Sequence, residues 1–326
     1  MRAILNLKET KMKRLQFILF ALIAFVLVSQ IASAQRAPLP RVSPKASVMQ
    51  IIGTTEVAIT YSRPAVKGRT IWGDWPTEVA GEGTLDNQNT RPAGAPIVPY
   101  GHLWRAGANE ATLFVVNDDV LINGQPLAAG KYSLHMIPGK EEWTVVFNKD
   151  DGQWGSFTYD AKKDALRVKT KPVVTTDSKE FLYYGSEIGA ENAATVYLRW
   201  EKIKVPFTVE VKDVVGTTMT RLKTYVANAK PDEWQPPLNA AMFAKQNKLT
   251  DDATRWFDQS LKAVDAQIAA KPTFVNYRAK SNILFNAGRM PEALAATEKA
   301  VEVGKAEKAD TAALEKRIAD IKAAKQ

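Results

Sequence analysis

The densest polar run in the chain is Trp104-Arg105-Ala106-Gly107-Ala108-Asn109-Glu110. It brings an indole, a fixed cation, an amide and a carboxylate into one short segment. Arg63 and Arg69 stand in a separate motif block and can converge on it. A guanidinium offers a planar fork to carboxylate or phosphate. Arg63, Arg69, Trp104, Arg105, Asn109 and Glu110 are therefore the candidate ligand-binding residues, for a glycan or a small anion. Glu110 would act as an acid or base if burial raised its pKa. The competing reading is structural and is favoured: Arg–Glu pairs and Asn side chains tie up loop backbone, and Trp packs as core. No residue is assigned as catalytic.

Other chemistry is thinly represented. The chain has no cysteine, which excludes disulfides, thiol catalysis and cysteine-bound zinc. Its two histidines, His102 and His135, cannot build a histidine-rich metal site. His102 sits beside the polar run, and His135 lies within an alternating strand pattern. No G-x-S-x-G or S-x-x-K nucleophile motif stands in a plausible context. Gly81-Glu82-Gly83 lacks the strand-turn-helix frame of a nucleotide site. No metal or cofactor is expected. Six of the eight tryptophans (Trp72, Trp75, Trp104, Trp143, Trp154 and Trp200) fall in the β-patterned region. Most are expected to be core. Trp72 and Trp75, flanking Gly73-Asp74, are the pair expected to be exposed, where they would suit a sugar face.

These residues sit behind an address signal. Lys11, Lys13 and Arg14 precede the apolar run Phe17–Val28, and Ala32-Ser33-Ala34 follows as an A-x-A cleavage site. Residues 1–34 therefore read as a signal peptide cut before Gln35. The run is too short for a comfortable membrane span, and a start at Met12 would give a more compact signal. The expectation is an exported, periplasmic protein with no membrane span after cleavage. Residues 1–34 carry five basic and one acidic side chain, so cleavage lowers the formal net charge from +9 to +5. That excess is scattered, with no basic block interleaved with aromatics, which argues against nucleic acid as a partner.

The elements that must position the polar run are strands. After a Pro-rich lead-in at 35–45, period-2 patterning extends over 46–212, at Glu56–Ser62, Thr112–Val116, Lys131–Ile137, Trp143–Asn148, Leu166–Val174, Phe181–Gly185, Thr195–Trp200 and Pro206–Val211. Val196, Leu198 and Trp200 share one face, and Thr195, Tyr197 and Arg199 the other. Asn123-Gly124 between short apolar runs predicts a type I′ hairpin. Pro76–Ile97 lacks periodicity and reads as a long inserted loop. Many short strands with turns between them predict an antiparallel β-sandwich-like domain.

Beyond Val211 the composition becomes helical. Residues 213–235 read as a helical linker and 236–326 as a helical domain. Ala279, Leu284, Gly288-Arg289 and Glu292-Ala293-Leu294, followed by Lys299-Ala300-Val301, resemble a tetratricopeptide unit. Leu249–Ala253 opens a similar helix 40 residues before. The fold class expected is α+β multidomain, a β-sandwich-like domain followed by a tetratricopeptide-like helical domain.

The β region also carries a set of longer motifs: Ser43-Pro44-Lys45-Ala46, Tyr61-Ser62-Arg63-Pro64, Lys67-Gly68-Arg69, Val98-Pro99-Tyr100-Gly101, and Trp104-Arg105 through Gly107–Thr112. Ala129–Leu134, Ile137-Pro138-Gly139, Trp143-Thr144 and Trp154-Gly155 complete it. In these the chain resembles the family catalogued as domain of unknown function 2911, exported proteins of Gram-negative bacteria. The resemblance spans about Ser43 to Val211 and implies architecture and export rather than chemistry. The reading reached is an exported, non-enzymatic binding or scaffold protein whose helical repeats contact another protein. The alternatives are a carbohydrate-binding or carbohydrate-active module, and a hydrolase using Glu110 and Arg105.

Overall fold

The computed structural model describes residues 39–75 and 95–323. The expected signal peptide, residues 35–38 of the lead-in and residues 76–94 of the expected loop lie outside the described residues. Among the described residues the strands are β1 (Lys45–Ile52), β2 (Thr55–Ser62), β3 (Trp72–Gly73), β4 (Val98–Pro99), β5 (Thr112–Val116), β6 (Val120–Ile122), β7 (Gln125–Leu127), β8 (Gly130–Ile137), β9 (Trp143–Asn148), β10 (Asp164–Thr170), β11 (Val173–Ala190) and β12 (Ala193–Glu210). They form an antiparallel six-stranded sheet in the order β1-β2-β5-β8-β9-β10 and a four-stranded sheet in the order β11-β12-β6-β7.

Alternation builds the core between these sheets. On β2, Val57, Ile59 and Tyr61 are buried while Glu56 is exposed. On β12, Val196, Leu198 and Trp200 are buried from the opposite side. Phe114 and Phe147 of the first sheet meet Phe207 of the second at 6.4 and 5.8 Å between ring centroids. That is the contact range of aromatic core pairs, and truncating such a side chain costs about 3–5 kcal/mol.

The Asn123-Gly124 hairpin forms as expected. Its φ angles are +45° and +79°, and Ile122 pairs with Gln125 across the two-residue turn. Two strand assignments change. The stretch Leu166–Val174 is split between β10 and β11, because Lys171-Pro172 interrupts it and proline has no N–H for a ladder. Thr195–Trp200 and Pro206–Val211 are instead parts of one strand, β12. It pairs with β11 up to Lys204 and with β6 from Val209, so Pro206 falls where neither ladder asks for its donor. A short parallel pair, β3–β4, had no sequence signal; Val98 N–H donates to the Ile71 carbonyl at 2.8 Å and Tyr100 N–H to that of Gly73 at 2.9 Å.

The helices follow: α1 (Val214–Ala227), α2 (Gln235–Gln246), α3 (Thr250–Ala270), α4 (Phe274–Ala287), α5 (Met290–Ala306) and α6 (Ala312–Ala323). Asp213 caps α1 by accepting from Gly216 N–H at 2.8 Å. Prolines open α2 and α5, where a missing N–H is harmless. Gly288 ends α4 in the left-handed region at φ +79°. Each helix packs on the next. Ala253 and Ala293, both buried, occupy matching places near the starts of α3 and α5. The helical core around Trp256, Phe257 and Ile283 is separate from that of the sheets. No helix of the described residues is long and apolar enough to cross a membrane.

Candidate functional site

The Trp104–Glu110 run is a loop whose backbone is held by buried side chains. Trp104 exchanges two 2.8 Å hydrogen bonds with Met136 on β8, beyond the point where β5 stops pairing. Its ring stacks on Trp200 at 5.9 Å and meets the edge of Trp72 at 5.6 Å, while its Nε1 donates to the Gly107 carbonyl at 3.1 Å. Trp72 also contacts Trp143 at 4.9 Å and Trp200 at 5.5 Å. The four indoles form one cluster. The expectation that Trp72 is exposed is corrected: β3 carries its ring into that cluster, where dispersion and edge-to-face packing hold it.

Two residues of the run take left-handed backbone, Ala106 at φ +51° and Asn109 at φ +61°. The Ala106 carbonyl accepts from Thr112 Oγ1 and from the Tyr184 hydroxyl, both at 2.9 Å. Burial pushes the Tyr184 phenol well above its ordinary pKa, so it remains a neutral donor. Between these anchors Gly107 lies against β2. A Cβ there would stand 2.8 Å from Thr112 Oγ1 and 3.2 Å from the Ser62 carbonyl oxygen.

At the end of the run the chain pairs with a later segment. Ala111 N–H donates to the Gln153 carbonyl at 3.1 Å and Gly155 N–H to the Asn109 carbonyl at 2.9 Å. Glu110 and Trp154 are thus a non-hydrogen-bonded antiparallel pair, the geometry that sets two side chains close together on one face.

The other two candidates bind elsewhere. Arg63 Nε donates to the Leu182 carbonyl of β11 at 2.9 Å, and its guanidinium lies 5.7 Å from the Phe181 ring centre. Arg69 donates to the carbonyls of Val66 at 3.1 Å and Ala65 at 2.5 Å. Among the described residues neither arginine bonds to the Trp104–Glu110 run. Of the six candidates, Glu110 lines a pocket of about 160 Å³, with Lys45, Ser62, Asp151 and Gln153.

Sequence reasoning missed Gln153 as a member of this neighbourhood, and it placed Trp154 in a tryptophan set expected to be mostly core, whereas Trp154 is 46% exposed. Trp154-Gly155 was legible as a motif, but its pairing with Glu110 closes over more than 40 residues and has no local signature. The histidines are both buried. The His102 ring lies 6.2 Å from Trp75, and His135 lies 5.2 Å from Tyr159. Tyr159 donates to Asp164, which also accepts from Asn148 Nδ2 at 2.7 Å and Arg167 Nε at 2.7 Å. Burial, reinforced by Asp164, raises the Tyr159 phenol pKa. This network is internally satisfied and structural. No group of three or more His, Asp or Glu among the described residues could hold a metal ion.

The helical region presents a larger concavity of about 370 Å³. Trp234, at the entry to α2, lines it with Phe274, Val275 and Arg278 of α4 and Leu314 and Arg317 of α6. These belong to alternate helices, which share one side of the stack. The guanidinium of Arg278 lies 5.4 Å from the Phe274 ring centre, and that of Arg317 lies 4.9 Å from the Phe285 ring centre. Arg317 also donates to Ser281 Oγ at 3.5 Å. Among the described residues neither arginine has a carboxylate partner within ion-pair distance.

No curated protein and no solved structure matches the chain. A family model does match it over residues 43–209, half of its length and nearly all of the two sheets. With its Trp104–Thr112 run anchored between β2, β8 and β11, the chain belongs to the family described as Protein of unknown function (DUF2911).

Proposed function

We propose that this is an exported, non-enzymatic binding or scaffold protein, and that its tetratricopeptide-like helical stack receives an acidic segment of another protein. Export rests on the basic, apolar and A-x-A series of residues 11–34. The observation that carries the binding reading is the concavity between α4 and α6. It combines apolar anchors, Trp234, Phe274 and Leu314, with Arg278 and Arg317, which have no carboxylate partner within ion-pair distance among the described residues; together they outweigh Asp310, the carboxylate in the same lining. Each guanidinium is held over an aromatic ring, and its planar fork suits capture of a carboxylate. Val275, 56% exposed, adds an open apolar surface beside them. A non-enzymatic role is supported by the Trp104–Glu110 run, where the carbonyls of Ala106 and Gly107 accept hydrogen bonds from buried side chains, and by Arg63 and Arg69, whose guanidiniums bind backbone carbonyls.

The test places a photo-crosslinking amino acid at position 275 of the full chain, expressed in its own host. The reading expects one dominant adduct with a different polypeptide, whose cross-linked peptide, identified by mass spectrometry, is rich in Asp or Glu. Adducts only with copies of the same chain, with neutral or basic segments, or no adduct at all would contradict it.

A further inference from the structure

The β domain holds a second concavity, remote in sequence from the helical groove and independent of the reading above. The pocket of about 160 Å³ opens where β2 ends and the chain leads into β5. Its volume lies well below that of pockets for drug-sized ligands and suits a single ring. Gln153 lines it and is only 5% exposed. The Gln153 amide nitrogen donates to the Asp150 carbonyl at 3.3 Å, while Oε1 has no hydrogen-bond partner among the described residues. That oxygen is closed to solvent, so the polar groups a pocket ligand meets belong to the other lining residues.

The remaining lining narrows the chemistry. Glu110 and Asp151 bring carboxylates to the pocket, and Lys45 and Ser62 bring donors. A simple anion would meet the carboxylates, and a simple cation would meet Lys45. A neutral ring rich in hydroxyls conflicts with neither, because each hydroxyl both donates and accepts. Beside the pocket stands an aromatic face. Trp154 shares its strand face with Glu110 and is 46% exposed. The negative face of an indole attracts the polarised C–H groups on one side of a sugar ring.

We propose that this pocket binds a single sugar ring, a terminal hexopyranose of a glycan. Trp154 stacks on its C–H face, Glu110 and Asp151 accept its hydroxyl hydrogens, and Lys45 donates to a ring or hydroxyl oxygen. The Trp104–Glu110 run then serves as the rigid wall that positions Glu110.

The experiment is saturation-transfer NMR on the full chain with D-glucose, D-galactose, D-mannose and N-acetylglucosamine, with L-lysine and inorganic phosphate as competitors. At least one sugar is expected to receive saturation at its ring C–H hydrogens. Its dissociation constant should rise at least about tenfold in Trp154→Ala and in Asp151→Asn. Both side chains are exposed, so thermal melts of the variants check that the fold is kept, and either variant alone suffices to read the effect. Silence from all four sugars, unchanged affinity in the folded variants, or displacement of the sugar by lysine or phosphate would overturn the proposal. None of these outcomes bears on the helical groove, which lies outside the β domain.

Discussion

Tyr184 donates its hydroxyl hydrogen to the carbonyl oxygen of Ala106 at 2.9 Å, linking residues 78 apart in sequence. The phenol is fully buried, and its acceptor sits at a left-handed residue, so the bond pins an unusual backbone conformation from across the core. This contact makes the Trp104–Glu110 run a structural corner as much as a display of polar side chains. Tyr184→Phe should lower unfolding free energy by about 1–2 kcal/mol, since Thr112 Oγ1 still serves the same carbonyl. Urea denaturation of the pure protein measures it, and a variant that unfolds like the parent would show the bond to be idle.

Gly107 is the tighter constraint. Gly107→Ala would press a methyl into Thr112 Oγ1 and the Ser62 carbonyl oxygen. The backbone of β2 cannot yield as a flexible side chain can, so a loss of about 1–3 kcal/mol is expected. A melting temperature within error of the parent would mean that the loop relaxes away from β2.

Much of this architecture was readable because it is local. Asn123-Gly124 announces its hairpin through positive φ, Pro291 announces the start of α5, and Val196, Leu198 and Trp200 announce a half-buried strand. What was not readable depends on partners distant in the chain. Trp72 reads as the rim of a loop until β3 pairs with β4 and turns its indole onto Trp143 and Trp200. Arg63 and Arg69 read as companions of Arg105, yet carbonyls of residues 65, 66 and 182 bind them. The candidate motif was legible as a unit. The neighbour that completes the β-domain pocket, Gln153, was not, since a lone Gln in a turn has no pattern.

The joint between sheets and helices rests on a few contacts. Arg221 of α1 donates to Asp118 Oδ2 at 2.5 Å, and Thr55 Oγ1 donates to the same oxygen at 2.7 Å. The ion pair is part-exposed, so its worth is modest. Asp118→Ala should cost about 0.5–1.5 kcal/mol and raise amide exchange in α1 more than in α3 or α4. Equal exchange along all the helices would show that α1 is held by its apolar face alone.

A chain ending at Lys212 should still fold, because the sheets share their own core. It loses the Val214 side chain that packs over Gly53 and the Arg221 contact, so a lower melting temperature with native β-type circular dichroism is expected. An unfolded spectrum would make the helices an obligatory layer of the β domain.

Asp177 supplies a pH signature. Hydrogen bonds from Lys179 at 2.8 Å and from buried Arg199 at 3.0 Å hold its carboxyl down to a pKa of about 2. A depressed folded-state pKa means that the contribution is complete above the unfolded value of about 3.9 and fades as pH falls toward 2. The NMR titration of the Asp177 carboxyl should therefore centre near pH 2, and Lys179→Ala should move it upward. A midpoint near 4 in the parent would contradict the pairing.

The central claim is that the groove between α4 and α6 captures an acidic segment through Arg278 and Arg317. The most direct measurement is the yield of the position-275 cross-link in the double variant Arg278→Glu, Arg317→Glu, compared with the parent chain under the same illumination. The double variant gives up the guanidinium contacts with Phe274 and Phe285 and the Arg317 bond to Ser281, so a thermal melt first checks that its fold is kept. The groove account expects the dominant adduct to fall at least about tenfold, because like charges now face the segment. An adduct of the same identity and yield in the folded double variant would contradict it.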